Sequence, residues 1–142
     1  MPTRNAEGTW QGGLKDGKGS VKLGSGTFQG TYSFGTRFEN APGTNPEELL
    51  GAAHAACYSM ALSALLEAGG HKATRVHTTA KVTVDPVPDG FAITKIMLQT
   101  EATVPGIDEK AFQETAQKTK TWCPVSKALK ATPIELQAKL VQ

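Results

Sequence analysis

The sequence predicts an α+β fold with antiparallel sheet, organised around one long central helix. Three observations carry this. Asn45 to Gly70 reads as a single helix with its start and stop signals in place. Two stretches after it alternate apolar and polar residues with a period of two, as strands with one buried face do. The segments come in the order strands, long helix, two strands, two helices, strand, unlike the regular strand–helix alternation of a doubly wound α/β chain.

The long helix opens at Asn45, a good N-cap, with Pro46 at the first helical position, where proline is tolerated. Glu48 stands three residues past the cap and completes a capping-box pattern. Gly69-Gly70 supplies the stop, since glycine adopts the left-handed conformation that helix ends often need. Apolar or small residues go all the way round, which predicts a helix enclosed on every side. Gly51, Ala52, Ala53, Ala55 and Ala56 leave room for close approach of other backbone. Leu49 to Leu66 carries no formal charge and nearly reaches membrane-spanning length. Its Ala, Gly and Ser content, His54 and the lack of a second apolar span argue against that use. One small sheet cannot cover such a helix, so a homodimer that shares the cover is expected.

Before this helix, residues 1–43 hold short β-like runs. Thr9 to Gln11, Ser20 to Leu23 and Thr27 to Phe34 read as strands, with turns at Asp16-Gly17 and Gly24-Ser25-Gly26. The glycines lack the strand–turn–helix setting and the lysine of a phosphate-binding loop. After the helix, Val76, Thr78, Ala80, Val82 and Val84 form the inward face of a strand. Pro86 to Gly90 turns the chain, and Phe91 to Val104 returns. Its inward set slips by one residue, from Phe91 and Ile93 to Ile96 and Leu98, which predicts a bulge near Thr94-Lys95. Asp108 caps a second helix to about Lys120, with Phe112 and Ala116 inward. Pro124 opens a short third helix ending near Lys130. Pro133 opens a last strand with Ile134, Leu136, Ala138 and Leu140 on one face.

The chain of 142 residues reads as one domain, 1–142. Its net charge of +2, with Lys and Glu interspersed, points to neither nucleic acid nor an acidic membrane surface. The polar N-terminus, MPTRNAEG, lacks the apolar segment of a secretory signal, so a cytoplasmic location is expected. Two cysteines in that compartment are not expected to form a standing structural bridge.

Four residues stand out for chemistry. Cys57, in mid-helix, is either a small buried hydrophobe or a reactive thiol. Apolar surroundings alone would raise its pKa and make it inert. Reactivity needs a cation beside it, at about 1.4 kcal/mol for each unit below the free-thiol value of ~8.5. Arg37, next to Phe34 and Phe38, is the candidate; otherwise it is an ordinary surface arginine. Glu47 opens the long helix beside Glu48. At ten residues from Cys57 it lies about 15 Å along the axis, so a Glu47 that serves this thiol comes from a second subunit. Its task would be to hold Arg37 by a bidentate ion pair. Cys123 precedes Pro124 at a helix start, where free N–H groups favour a thiolate, so electrostatics alone make it the more acidic cysteine. Which thiol attacks stays open on these grounds. His54, three residues before Cys57, either pairs with it as a base or is hydrogen-bonded in the core. The cysteines and His54, His71 and His77 show no metal-ligand spacing.

TRFE at 36–39, GTNPEELLGAAHAACYSMALS at 43–63, FAITKI at 91–96, VPGID at 104–108 and CPVSKALK at 123–130 closely resemble the OsmC/Ohr family, in its OsmC (osmotically inducible protein C) branch. The similarity covers nearly the whole chain in order, and residues 1–33 are least distinctive. The resemblance implies an intertwined homodimer in which antiparallel sheets wrap long central helices. It implies a thiol peroxidase of the oxidative and osmotic stress response, acting on organic hydroperoxides and less well on hydrogen peroxide. Cys57 is then the peroxidatic thiol, Cys123 the resolving thiol, and Arg37 and Glu47 the activating pair. The organic hydroperoxide resistance branch needs no histidine at position 54, which speaks against a base there. The implied reductant is a dihydrolipoyl-type dithiol rather than thioredoxin, and no cofactor is implied. The expected cycle runs through a Cys57 sulfenic acid and a Cys57–Cys123 disulfide. Phe28, Phe34, Phe38 and Met60 are expected to line an entrance for alkyl or lipid hydroperoxides. The alternatives are a binding module that holds a lipid or small molecule in an apolar dimer cleft, and a redox sensor.

Overall fold

A computed structural model describes residues 1–141. Its contacts divide the chain into two compact units, one ending at Leu49 and one starting at Leu50.

In the first unit, β1 (Ala6–Gln11), β2 (Lys18–Leu23) and β3 (Gln29–Tyr32) form an antiparallel meander in that order. The turns fall where Asp16-Gly17 and Gly24 to Gly26 put them. Gly19 is needed on β2. A side-chain carbon there would come within 2.5 Å of the Tyr32 ring and 2.8 Å of Trp10, whose rings meet over it at 5.4 Å. The strand expected to run to Phe34 stops at Tyr32, and a short helix follows instead, α1 (Phe34–Phe38). The reason is a reciprocal cap. The Ser33 hydroxyl accepts from the Thr36 N–H at 3.1 Å, and Thr36 Oγ1 accepts from the Ser33 N–H at 2.8 Å. Two satisfied donors outweigh the weak strand preference of Phe34 and Thr36.

The long helix is α2 (Pro46–Ala68). Asn45 Oδ1 accepts from the Glu48 N–H at 2.7 Å, as expected of the N-cap. The helix ends in a Schellman motif. Gly70, at φ +90°, donates to the Glu67 carbonyl, and His71 donates to that of Leu66. Enclosure on every side is not met within one chain. His54, Tyr58, Ala61, Leu62 and Leu66 are buried, but Ala52, Ala53, Ala56 and Met60, on the other face, are exposed. By length and composition alone, α2 is the one described helix able to cross a membrane. Tyr58, Leu62 and Leu66 nevertheless belong to the core of the second unit.

That core forms between α2 and a second sheet, with β5 in the middle: β4 (Arg75–Val87), β5 (Gly90–Thr103) and β6 (Ile134–Val141). β4 and β5 pair antiparallel. Thr83 faces Lys95 and Val84 faces Ile93, so Thr94 is the extra residue of the predicted bulge. The Thr94 hydroxyl donates to the Asp85 carboxylate. Beyond the bulge, Ile96 and Leu98 are buried, while Phe91, expected inward, is half exposed. The strands run on to Val87 and from Gly90, which shortens the hairpin loop to Pro88-Asp89. A polar rung runs through this packing. Ser59 of α2 donates to Thr78 of β4 at 2.8 Å, and Thr78 meets Thr100 of β5 at 2.9 Å.

The purely antiparallel sheet is corrected at its last strand: β6 pairs with β5 in parallel, Ile96 opposite Ile134 through Thr103 opposite Val141. Two helices intervene, α3 (Glu109–Trp122) and α4 (Pro124–Ala128), and such a crossover returns the chain in the same direction. Asp108 caps α3 by accepting from the Ala111 N–H at 2.7 Å, and Phe112 and Ala116 are fully buried.

Candidate active site

Both cysteines are reduced. Cys57 sits in mid-α2, half-buried, because the helix turns its 54–58–62 stripe toward the sheet and leaves position 57 at the edge. Cys123 is fully buried and caps α4. Its Sγ accepts from the Ser126 N–H at 3.4 Å, and its own N–H donates to the Thr119 carbonyl at 3.1 Å. Cys57 Sγ accepts from the Val125 N–H at 3.5 Å and lies beside the Cys123 thiol, close enough for the two to influence each other. Two sulfurs thus meet where α4 begins, each facing a backbone N–H.

Burial pushes the Cys57 thiol above its usual value. The Val125 N–H pulls it down, while Cys123 raises it further, through its thiol and through its charge. Tyr58, one residue on, donates to the Ala116 carbonyl at 2.9 Å. Burial, and then the charge of Cys123, hold it protonated. His54 is buried with Nε2 2.7 Å from Ser126 Oγ, and its Nδ1 has no partner among the described residues. Burial lowers its pKa, so the ring is neutral.

The first unit holds a second cluster. Arg37, on α1, donates from Nε to Glu47 Oε1 at 2.9 Å. The expected bidentate pairing is not made: one nitrogen meets one oxygen, and the buried Glu47 Oε2 has no partner among the described residues. The pair forms within one chain, because α1 and the first turn of α2 face each other. Asn45 Nδ2 fixes that arrangement by donating to the Thr36 carbonyl at 3.0 Å. The Arg37 guanidinium lies over the Phe38 ring at 5.3 Å. It also borders a cleft of about 250 Å³ whose other walls include Trp10, Leu14, Tyr32, Phe34 and Phe38.

The sequence model of the OsmC-like protein family matches residues 38–138. The chain is 54% identical over 129 residues to the peroxiredoxin OsmC of Escherichia coli K12, covering 90% of each. The chain belongs to the OsmC family. An organic hydroperoxide resistance protein of Xanthomonas axonopodis pv. citri shares 33% identity over 87 residues, 61% of this chain and 59% of that one. Among solved structures, an OsmC-like protein from Mycoplasma pneumoniae superposes with a TM-score of 0.75 at 19% identity, covering 99% of each chain. An organic hydroperoxide resistance protein OsmC from Legionella pneumophila gives 0.72 at 21% identity, covering 100% of this chain and 98% of the other. At that identity, the two structures bear on the α+β fold alone.

Of the four residues singled out in this OsmC-family chain, Cys57 meets Cys123 and Arg37 meets Glu47. Of the four apolar residues expected at an entrance, Phe34 and Phe38 line the Arg37 cleft. Phe28 packs beside Gly30 instead, and Met60 is 80% exposed on α2. Trp10, Leu14 and Tyr32 of the cleft were not foreseen. The aromatic content of the first strands signals Trp10 and Tyr32, and nothing local signals Leu14. Ser126 was not foreseen either, because only the fold brings it to His54. Among the described residues, no group of three or more His, Cys, Asp or Glu side chains is placed to hold a metal.

Proposed function

We propose that this OsmC-family protein is a cysteine-based peroxidase that reduces organic hydroperoxides, and hydrogen peroxide less well. One observation above all supports this: two reduced sulfurs brought together at the start of α4, Cys57 on the Val125 N–H and Cys123 on the Ser126 N–H, the half-buried one reachable and the other enclosed. The curated relatives, named as a peroxiredoxin and an organic hydroperoxide resistance protein, support the same chemistry. Cys57 thiolate attacks the peroxide O–O bond, and one oxygen is transferred to sulfur as Cys57–SOH. The alkoxide leaves and is protonated to the alcohol. Cys123 then displaces the hydroxyl as water and forms a Cys57–Cys123 disulfide. An external dithiol, of dihydrolipoyl type, is oxidised as it restores both thiols.

Burial alone works against the first step, since it raises the Cys57 pKa. Arg37, steadied by Glu47, is therefore assigned to hold the thiolate and the departing alkoxide. Ten helical residues, about 15 Å, separate Glu47 from Cys57, so the pair is assigned to the thiol of a second subunit. The two units of the chain then act as one domain of an intertwined homodimer. The exposed Ala52–Ala56–Met60 face of α2 is what the partner covers. The aromatic cleft beside Arg37 suits an alkyl chain better than water, which favours organic substrates. The reaction is placed in the cytosol, where dithiol reductants are maintained.

The deciding experiment is peroxide turnover with dihydrolipoamide against thioredoxin. Wild type is expected to turn over cumene hydroperoxide with the former. Cys57→Ser should consume none, and Cys123→Ser should complete no cycle through the disulfide. Arg37→Ala should slow the reaction at neutral pH roughly tenfold for each unit the thiol pKa rises. A wild-type protein that keeps both thiols and consumes no peroxide would instead be a binding module.

A further inference from the structure

We infer that the buried His54–Ser126 hydrogen bond is a positioning device for the second step of this reaction: it keeps α4, and with it Cys123, docked on α2 while Cys57 is oxidised. The inference rests on the peroxidase reading above.

Apart from the contact between the sulfurs, two described hydrogen bonds tie α2 to α4. One runs from the Val125 N–H to Cys57 Sγ at 3.5 Å. The other joins His54 Nε2 and Ser126 Oγ at 2.7 Å. The first is made by the reacting atom. When Cys57 gains an oxygen, its lone pairs and bulk change, so this tie alters just when Cys123 must approach. The second contains no sulfur and is untouched by the oxidation. It is also enclosed, with His54 0% and Ser126 2% exposed, so water does not compete for it.

Ser126 is the joint of the device. Its hydroxyl meets His54, and its backbone N–H donates to Cys123 Sγ at 3.4 Å. Fixing the Ser126 side chain therefore fixes the resolving sulfur. α4 has five residues, too few to hold a helix by its own hydrogen bonds, so docking decides where it sits. The histidine's other nitrogen points the same way. Among the described residues Nδ1 is buried without a partner, so the contact to Ser126 is the one hydrogen bond the ring makes there. The ring is placed for its Ser126 contact.

In the step itself, Cys57–SOH and Cys123–SH give the disulfide and water. The S–O bond breaks, the S–S bond forms, and the Cys123 proton leaves with the hydroxyl. His54 exchanges no proton with either sulfur in this step.

The test is a single turnover with one equivalent of cumene hydroperoxide, following peroxide loss, free thiols and dimedone trapping of the sulfenic acid. In Ser126→Ala and His54→Leu, peroxide loss should match wild type. Disulfide formation should slow at least tenfold, with a dimedone adduct accumulating on Cys57. The double variant should be no slower than the slower single one. His54→Gln, whose amide can still donate to Ser126, should recover most of the rate. Ser126→Ala removes one oxygen and decides the matter should His54→Leu fail to fold. Disulfide formation at the wild-type rate in folded Ser126→Ala, or multiplying effects in the double variant, would overturn the positioning role. Wild-type thiols that survive the peroxide would instead overturn the peroxidase reading, and the inference with it.

Discussion

His54 is held neutral by its surroundings. The charged ring would lose its water on burial, which lowers its pKa below the ordinary 6.5. Unfolded, the same ring titrates near 6.5. The stability linked to it is complete above that pH and is lost as pH falls from there through the lower native value, because the unfolded chain takes up the proton first. Urea midpoints should therefore drop between about pH 7.5 and 5.5 in wild type and drop less in His54→Gln. Equal drops would assign the acid sensitivity to other groups. How much of the site the sequence discloses varies residue by residue. Cys57 is conspicuous as the one thiol in a long apolar helix. Its partner is not, since electrostatics alone favour Cys123 as the attacker, and only resemblance reverses the roles. Ser126 lies 72 residues from His54, and no local spacing announces a contact at that separation.

At the level of elements, Asn45 does two jobs. Its Oδ1 caps α2 and its Nδ2 holds the Thr36 carbonyl of α1, the helix that carries Arg37. Asn45→Ala should cost about 0.5–2 kcal/mol in chemical denaturation, the usual range for a lost cap. Asn45→Asp keeps the cap and loses the amide donor, so it should fall between the two. A midpoint for Asp as low as that for Ala would mean that the tie to α1 matters more than the cap. The ends of α2 and the bulge at Thr94 are legible in the sequence because their causes are local: a cap, a left-handed glycine, a slip in alternation. α1 is hidden because phenylalanine and threonine suit a strand as well as a short helix, and its Ser33–Thr36 box lacks the usual acidic member. The direction of β6 is hidden for another reason. Alternation of Ile134, Leu136, Ala138 and Leu140 gives the buried face, and that face is the same for a parallel or an antiparallel neighbour.

For the whole molecule, the telling feature is what one chain leaves uncovered. Composition asks for apolar cover all round α2, yet Met60 is 80% exposed and Ala52, Ala53 and Ala56 share its side. A dimer that closes over this stripe should sediment as two chains at micromolar concentration. Met60→Glu should shift it toward single chains, since a carboxylate would have to be buried there without a partner. A monomeric wild type, or a variant that sediments unchanged, would send the stripe to some other use. The two-unit division was not legible in the sequence, which has no linker or compositional break near Leu49. The boundary falls inside a continuous helix, where no change of pattern marks it.

The parallel return of β6 has a further consequence. Cys123 lies on the path between two strands whose ends are pinned in the sheet, directly after the 14 residues of α3. That helix works as a ruler. One residue more or fewer would swing the following sulfur by about 100° and slide it about 1.5 Å. The sheet could survive such a change while the sulfurs no longer faced each other. The length of α3 is thus as much a part of the proposed redox centre as the two sulfurs assigned to react in it.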